Sequence, residues 1–178
     1  MPSKAQPLDF LALLCLSLMW SSSFLFIKIA VETVTPLTVA AGRLLVAAIA
    51  LYLFMKLRGV SLPKDKRSWL FFFLIGLIGN SIPFYLISWA EVTIDSSIAA
   101  ILIASAPLAS FLIGHMVTAD EKLTLPRITG VLAGFAGIVV LIGYESLLNF
   151  GTNAISQLAI VAGAICYVSA SFIAKKMP

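Results

Sequence analysis

Two cations stand where cations are expensive. Lys28 and Arg43 lie inside apolar runs of a 178-residue chain that is 61% hydrophobic and 11% charged. An arginine at the centre of a hydrocarbon layer costs on the order of 3 kcal/mol on insertion scales, and more on others. Arg43 follows Pro36 by seven residues, which puts it roughly 10 Å into its run at 1.5 Å per helical residue. Ala40, Ala47 and Ala50 share its helix face and leave room beside it for a cavity or a close partner helix. Two roles fit: a structural arginine bonded to backbone carbonyls, or a group that faces a ligand. Lys28 sits one turn from the end of its run. There a long side chain can also snorkel to the interface. As ligand groups, a guanidinium and an ammonium suit a solute that carries a carboxylate.

Further polar and aromatic residues interrupt the same runs. Ser17, Trp20, Ser21, Phe24 and Lys28 recur at spacings of three and four, which predicts one helix face turned to the interior. In "GNSIPFYLISW", Pro83 cannot donate a backbone hydrogen bond and predicts a kink, with Asn80 and Tyr85 on either side of it. "IASAPLASF" repeats the device with Ser105 before Pro107. Broken helices near mid-membrane are places where solutes bind; a break closed by Asn80 or a neighbouring serine is the structural alternative. The candidate substrate contacts are therefore Trp20, Lys28, Arg43, Asn80, Tyr85 and Ser105. Trp89 reads as an interfacial belt residue.

Other chemistries lack their groups. The one histidine, His115, falls at a helix end, and no pair of aspartates lies at matching depth. An intramembrane protease needs a Ser/His pair or two such aspartates, so no enzyme is expected. Cys15 and Cys166 both lie in apolar runs and read as buried small hydrophobes. No metal site, disulfide scaffold or cofactor is expected. No Asp or Glu lies mid-membrane, with Asp9 at the inner edge of the first run, so no proton relay through a carboxylate is expected. The net charge of +4 comes without the basic face of a soluble fold that nucleic-acid binding requires.

The elements that must carry these residues are six apolar blocks: 10–30, 36–55, 69–90, 97–117, 128–144 and 155–174. Each approaches the roughly 20 residues that cross a bilayer. Only helices satisfy their own backbone in lipid one segment at a time. The expected fold class is all-α, a polytopic transmembrane bundle of six helices. The first block is longer than a signal-peptide core of about 7–15 residues, so it reads as a span. Ten of the twelve Lys and Arg residues fall before the first block, between the second and third, between the fourth and fifth, or near the chain end. The alternate connections, "VETVT", "EVTID" and "ESLLNFGTN", hold none. By the positive-inside rule the N-terminus is cytoplasmic.

An internal repeat adds to this. At a lag of 148 residues, Ser21, Ser23, Phe24 and Lys28 match Ser169, Ser171, Phe172 and Lys176. The sixth helix becomes the counterpart of the first. Five helices per unit is an odd number, so the second unit is inverted. In the fifth block Gly130 and Gly134 form a GxxxG, a signal for close helix packing.

Together these residues resemble the EamA-type members of the drug/metabolite transporter superfamily. The resemblance covers essentially 10–176. It rests on Trp20, Phe24 and Lys28, on Pro36 followed by Arg43, on "SSIAAILIASAPLASFL" leading to Glu121, and on Gly130, Gly134 and Gly137. Ser21 departs from it, since the family often has glycine after the tryptophan. The resemblance implies a ten-helix bundle of two inverted five-helix repeats around a central cavity. Residues 1–147 would be the first repeat and 148–178 the first helix of a second, truncated one. It implies a secondary transporter of small organic metabolites or drugs, working by alternating access. An exporter of amino-acid-like or carboxylate-bearing solutes fits the two cations. The alternative is a truncated, inactive or accessory membrane protein. Expected partners are a small-molecule substrate and membrane lipids, with a homo-oligomer left open. The expected location is the bacterial inner membrane.

Overall fold

The computed structural model describes residues 6–104, 106–107, 109–110, 114, 124–142 and 153–177. Every regular element among them is helical. The helices are α1 (Pro7–Val31), α2 (Pro36–Leu57), α3 (Lys66–Gly76), α4 (Ile82–Ala90), α5 (Ser96–Ile103), α6 (Leu125–Ile142) and α7 (Ala154–Ala174). A π-turn, Leu77–Ser81, joins α3 to α4 without a break. Among the described residues, four spans are long and apolar enough to cross a membrane: α1, α2, the continuous Lys66–Ala90 and α7. The fourth sequence block is described chiefly over α5, at its start.

Local chemistry sets the ends of these helices. Pro7 opens α1, and the Asp9 carboxylate accepts the Gln6 N–H at 2.8 Å. Asp9 is thus occupied in capping. Thr35 caps α2 by accepting the Thr38 N–H at 3.3 Å, with Pro36 in the first turn. Asp65 caps α3 by accepting the Ser68 N–H at 2.7 Å, and hydrogen bonding from the Ser68 side chain, then from this N–H, holds its carboxyl below the usual carboxylate range. Gly59 ends α2 at φ +67°, where the Val60 N–H returns to the Met55 carbonyl at 3.1 Å. Only glycine adopts that turn without a Cβ penalty.

The packed interior is formed mainly by α4, α5 and α7, with the end of α1 laid against them. Ile27, Ile87, Ala90, Ile94, Ile98, Ala99, Leu102 and Ile160 form its core. Large apolar side chains cover the outside instead: Leu11, Leu14 and Leu18 on α1, and Leu45, Val46 and Ile49 on α2, are all exposed. Faces of that kind are far too large for water and are suited to lipid.

Two glycines let α7 cross the π-turned span closely. A Cβ on Gly79 would stand 2.7 Å from the Ala170 Cβ, and one on Gly163 would stand 3.7 Å from Pro83. The GxxxG of α6 is different. Among the described residues nothing lies within 4 Å of a Cβ built at Gly130 or Gly134. The cysteines also differ from expectation. Cys15 is exposed on α1, and Cys166 is half-buried on α7.

Candidate functional site

A cavity of about 340 Å³ opens where α1, α2, the π-turned span and α7 meet. Its wall includes Trp20, Phe24, Arg43, Asn80, Phe84 and Tyr167. Among the described residues that line it, Arg43 is the only charged one. Its guanidinium lies 4.2 Å from the centroid of the Phe84 ring, a cation–π contact. One guanidinium nitrogen donates to the Ser23 hydroxyl at 3.0 Å. Phe84 in turn meets Tyr167 edge to face, with centroids 6.5 Å apart. The guanidinium is thus oriented by a ring and a hydroxyl. It has five N–H donors, and the Ser23 bond uses one of them. A planar donor fork at the wall of an aromatic pocket is arranged to take a carboxylate.

The π-turn positions the opposite wall. Its extra residue and Pro83 disturb the normal hydrogen-bond ladder. The Ser81 hydroxyl compensates by donating to the Gly76 carbonyl at 3.1 Å, and the Ile82 N–H reaches the Leu77 carbonyl. A neighbouring serine, one of the two groups weighed from the sequence, makes that repair. Asn80 makes no such bond. It lines the main cavity and also a second groove, between α2 and α3, with Leu44, Ala48 and Phe73.

EamA-like transporters match this chain over residues 8–143. The chain belongs to the EamA-like transporter family. A protein of Escherichia coli (strain K12), named as the uncharacterized inner membrane transporter YedA, is 32% identical over 161 residues. That match covers 90% of this chain and 51% of YedA. Protein PagO of Salmonella typhimurium is 35% identical over 115 residues, 65% of this chain and 38% of PagO. A probable terminal-alkyne amino-acid exporter of Streptantibioticus cattleyicolor is 27% identical over 158 residues, 88% of this chain and 52% of that protein. The chain spans about half the length of the first of these relatives. No solved structure matches it significantly.

In this EamA-like chain the six residues singled out from sequence do not all meet. Trp20, Arg43 and Asn80 line one cavity. Trp20 stands at its edge, 66% exposed. Lys28 is elsewhere: its ammonium donates to the main-chain carbonyls of Glu91 at 2.8 Å and Ile94 at 3.0 Å. It holds the connection between α4 and α5. Tyr85 is exposed and off the cavity. Ser105 lies outside the described residues.

The serine-rich face of α1 is also rotated from its expected position. Ser17 and Ser21 are exposed and bond back to the carbonyls of Leu13 and Leu18. Ser23, Phe24, Ile27 and Lys28 form the face that packs. Phe84 and Tyr167 were missed from sequence. Phe84 was within reach, since it follows Asn80 by four residues and so shares its face. Tyr167 carried no signal.

Glu91 was missed as well. Read as an outer-loop carboxylate, it is fully buried at the end of α4, and neither carboxyl oxygen has a hydrogen-bond partner among the described residues. Burial pushes its pKa up, to about 8, against the opposing pull of Lys28 and then Arg43.

Proposed function

We propose that this chain takes part in secondary transport of small organic solutes bearing a carboxylate, by alternating access around the Arg43 cavity. The observation that carries the reading is the Arg43 guanidinium, oriented by Ser23 and Phe84 at the wall of an aromatic pocket. A solute carboxylate would meet the free donors of the guanidinium. Its apolar part would lie among Trp20, Phe24 and Tyr167. The relative named as an amino-acid exporter supports this substrate class. Outward transport, a cytoplasmic N-terminus and a second, inverted repeat belong to the same proposal, resting on the placement of basic residues and on the 148-residue lag.

Uptake of radiolabelled amino acids and organic acids into proteoliposomes tests it, with binding measured in parallel by Trp fluorescence. Saturable binding of carboxylate solutes, weakened at least tenfold in Arg43→Ala, is the expected result. Binding restricted to cationic solutes, or unchanged in Arg43→Ala, overturns the substrate class.

A further inference from the structure

We propose that Glu91 is a proton-binding site, and that release of its proton draws the Lys28 ammonium from main-chain carbonyls onto the Glu91 carboxylate. This does not depend on which solute the cavity takes. Glu91 follows Ala90 and precedes Ile94, both in the apolar core beside Ile87 and Ile98. The residue is 0% exposed, and neither carboxyl oxygen has a partner among the described residues. An ionised carboxylate without partners is among the most costly groups to bury, whereas the protonated acid loses far less on leaving water. The described conformation is therefore that of the neutral acid. Burial favours that form, and its pKa of about 8 is consistent with it.

A partner for the ionised form is already in place. Lys28 bonds the carbonyl of Glu91 itself and that of Ile94. An ammonium has three donors, so the two carbonyls leave one. The charged groups whose fields reach the carboxyl are Lys28 from α1 and Arg43 from α2. Glu32, at the end of α1, and Asp95, before α5, are exposed. From α7 the titratable groups are Cys166 and Tyr167, both uncharged near neutral pH. Tyr85, the other titratable residue of α4, is exposed.

With the proton bound, Lys28 neutralises no charge and pins the α4–α5 connection through its carbonyls. When the O–H bond ionises, the proton passes to water at that end of the bundle and the carboxylate keeps the electron pair. The carboxylate then competes for Lys28 at one residue's distance. Moving onto the carboxylate gives up the bond to the Ile94 carbonyl, which frees residues 92–95 from α1 while Glu91 stays tied to it. One proton thus sets whether Ile94 is fastened to α1.

Infrared titration of the whole chain in nanodiscs, from pH 5.5 to 10, reads the acid directly. A carboxyl at the reference value of about 3.9 to 4.3 is ionised across that range. A single protonated-carboxyl C=O band should persist at pH 6, disappear with a midpoint near 8, and be absent in Glu91→Gln. The amide mimics the neutral acid in shape. Lys28→Met should raise the midpoint by about one pH unit, since the opposing cation is gone. The absence of any such band above pH 6 in the wild-type chain overturns the site, whether or not the variants fold. A band that survives Glu91→Gln assigns the proton elsewhere and overturns it too. A midpoint unmoved in Lys28→Met overturns the coupling to Lys28.

Discussion

Gly79 and Gly76 lie three residues apart on one span and differ in the space around them. A Cβ on Gly79 would stand 2.7 Å from the Ala170 Cβ, while nothing lies within 4 Å of one on Gly76. Apolar carbons pack at about 3.5 to 4.0 Å, so a side chain at Gly79 forces α7 back by about 1 Å. The obstacle is a methyl fixed to the α7 backbone, which has no rotamer by which to yield. Gly79→Val should therefore cost about 2–3 kcal/mol, the upper part of the usual range for overpacking. Gly76→Val should change stability by no more than about 0.5 kcal/mol. Helix propensity differs little between glycine and valine, so it does not blur the contrast. Chemical unfolding in a mild detergent, followed by circular dichroism, supplies the comparison. Ala170→Gly combined with Gly79→Val should recover part of the loss, a coupling that a double-mutant cycle isolates. Equal losses at the two glycines would refute the close crossing of α7 over the π-turn.

Other outcomes follow from contacts already described. Arg43→Lys keeps the charge but loses the planar fork, so carboxylate binding should weaken several-fold while Arg43→Ala loses more, as measured by fluorescence titration. Glu91 has a folded pKa raised above its unfolded value of 4.5, to about 8. The folded state then holds the extra proton, so stability should be greatest below pH 4.5 and fall as pH rises to 8, by at most about 1.4 kcal/mol per pH unit. Thermal melts of Glu91→Gln should lack that slope. Thr93 and Ser156 share a hydroxyl hydrogen bond at 2.7 Å, and the Asn153 amide donates to the Thr93 carbonyl at 3.0 Å. Ser156→Ala should cost about 1 kcal/mol, read from the same unfolding curves.

Some of this arrangement was legible from residue spacing. The apolar blocks announce the helices because lipid leaves the backbone no other solution. Arg43, singled out by its depth, and Asn80, singled out by the break near Pro83, line one cavity. Spacing alone misled at Tyr85. Five residues beyond Asn80, it stands about 140° around the helix, whereas Phe84 lies nearly above Asn80. The serines of α1 misled for another reason: a hydroxyl can return to its own helix and carry no information about the interior, as Ser17 and Ser21 do. Glu91 was hidden because its surroundings include partners far off in the chain, such as Lys28, 63 residues away. Periodicity reports the face of one helix, never what lies across from it.

A single-residue deletion shows what the π-turn does for the span that contains it. A π-turn admits one residue more than the helix it interrupts, and one residue amounts to about 100° of rotation. The stretch 66–90 is therefore written in two registers. The first turns Phe73 and Gly76 toward the groove with α2; the second turns Phe84 to Arg43 and Pro83 to Gly163. Loss of any one residue between 77 and 81 would leave every neighbour of the first half in place and exchange every neighbour of the second. Such a chain would be one residue shorter, would keep its hydropathy pattern and topology, and would have no wall opposite its arginine.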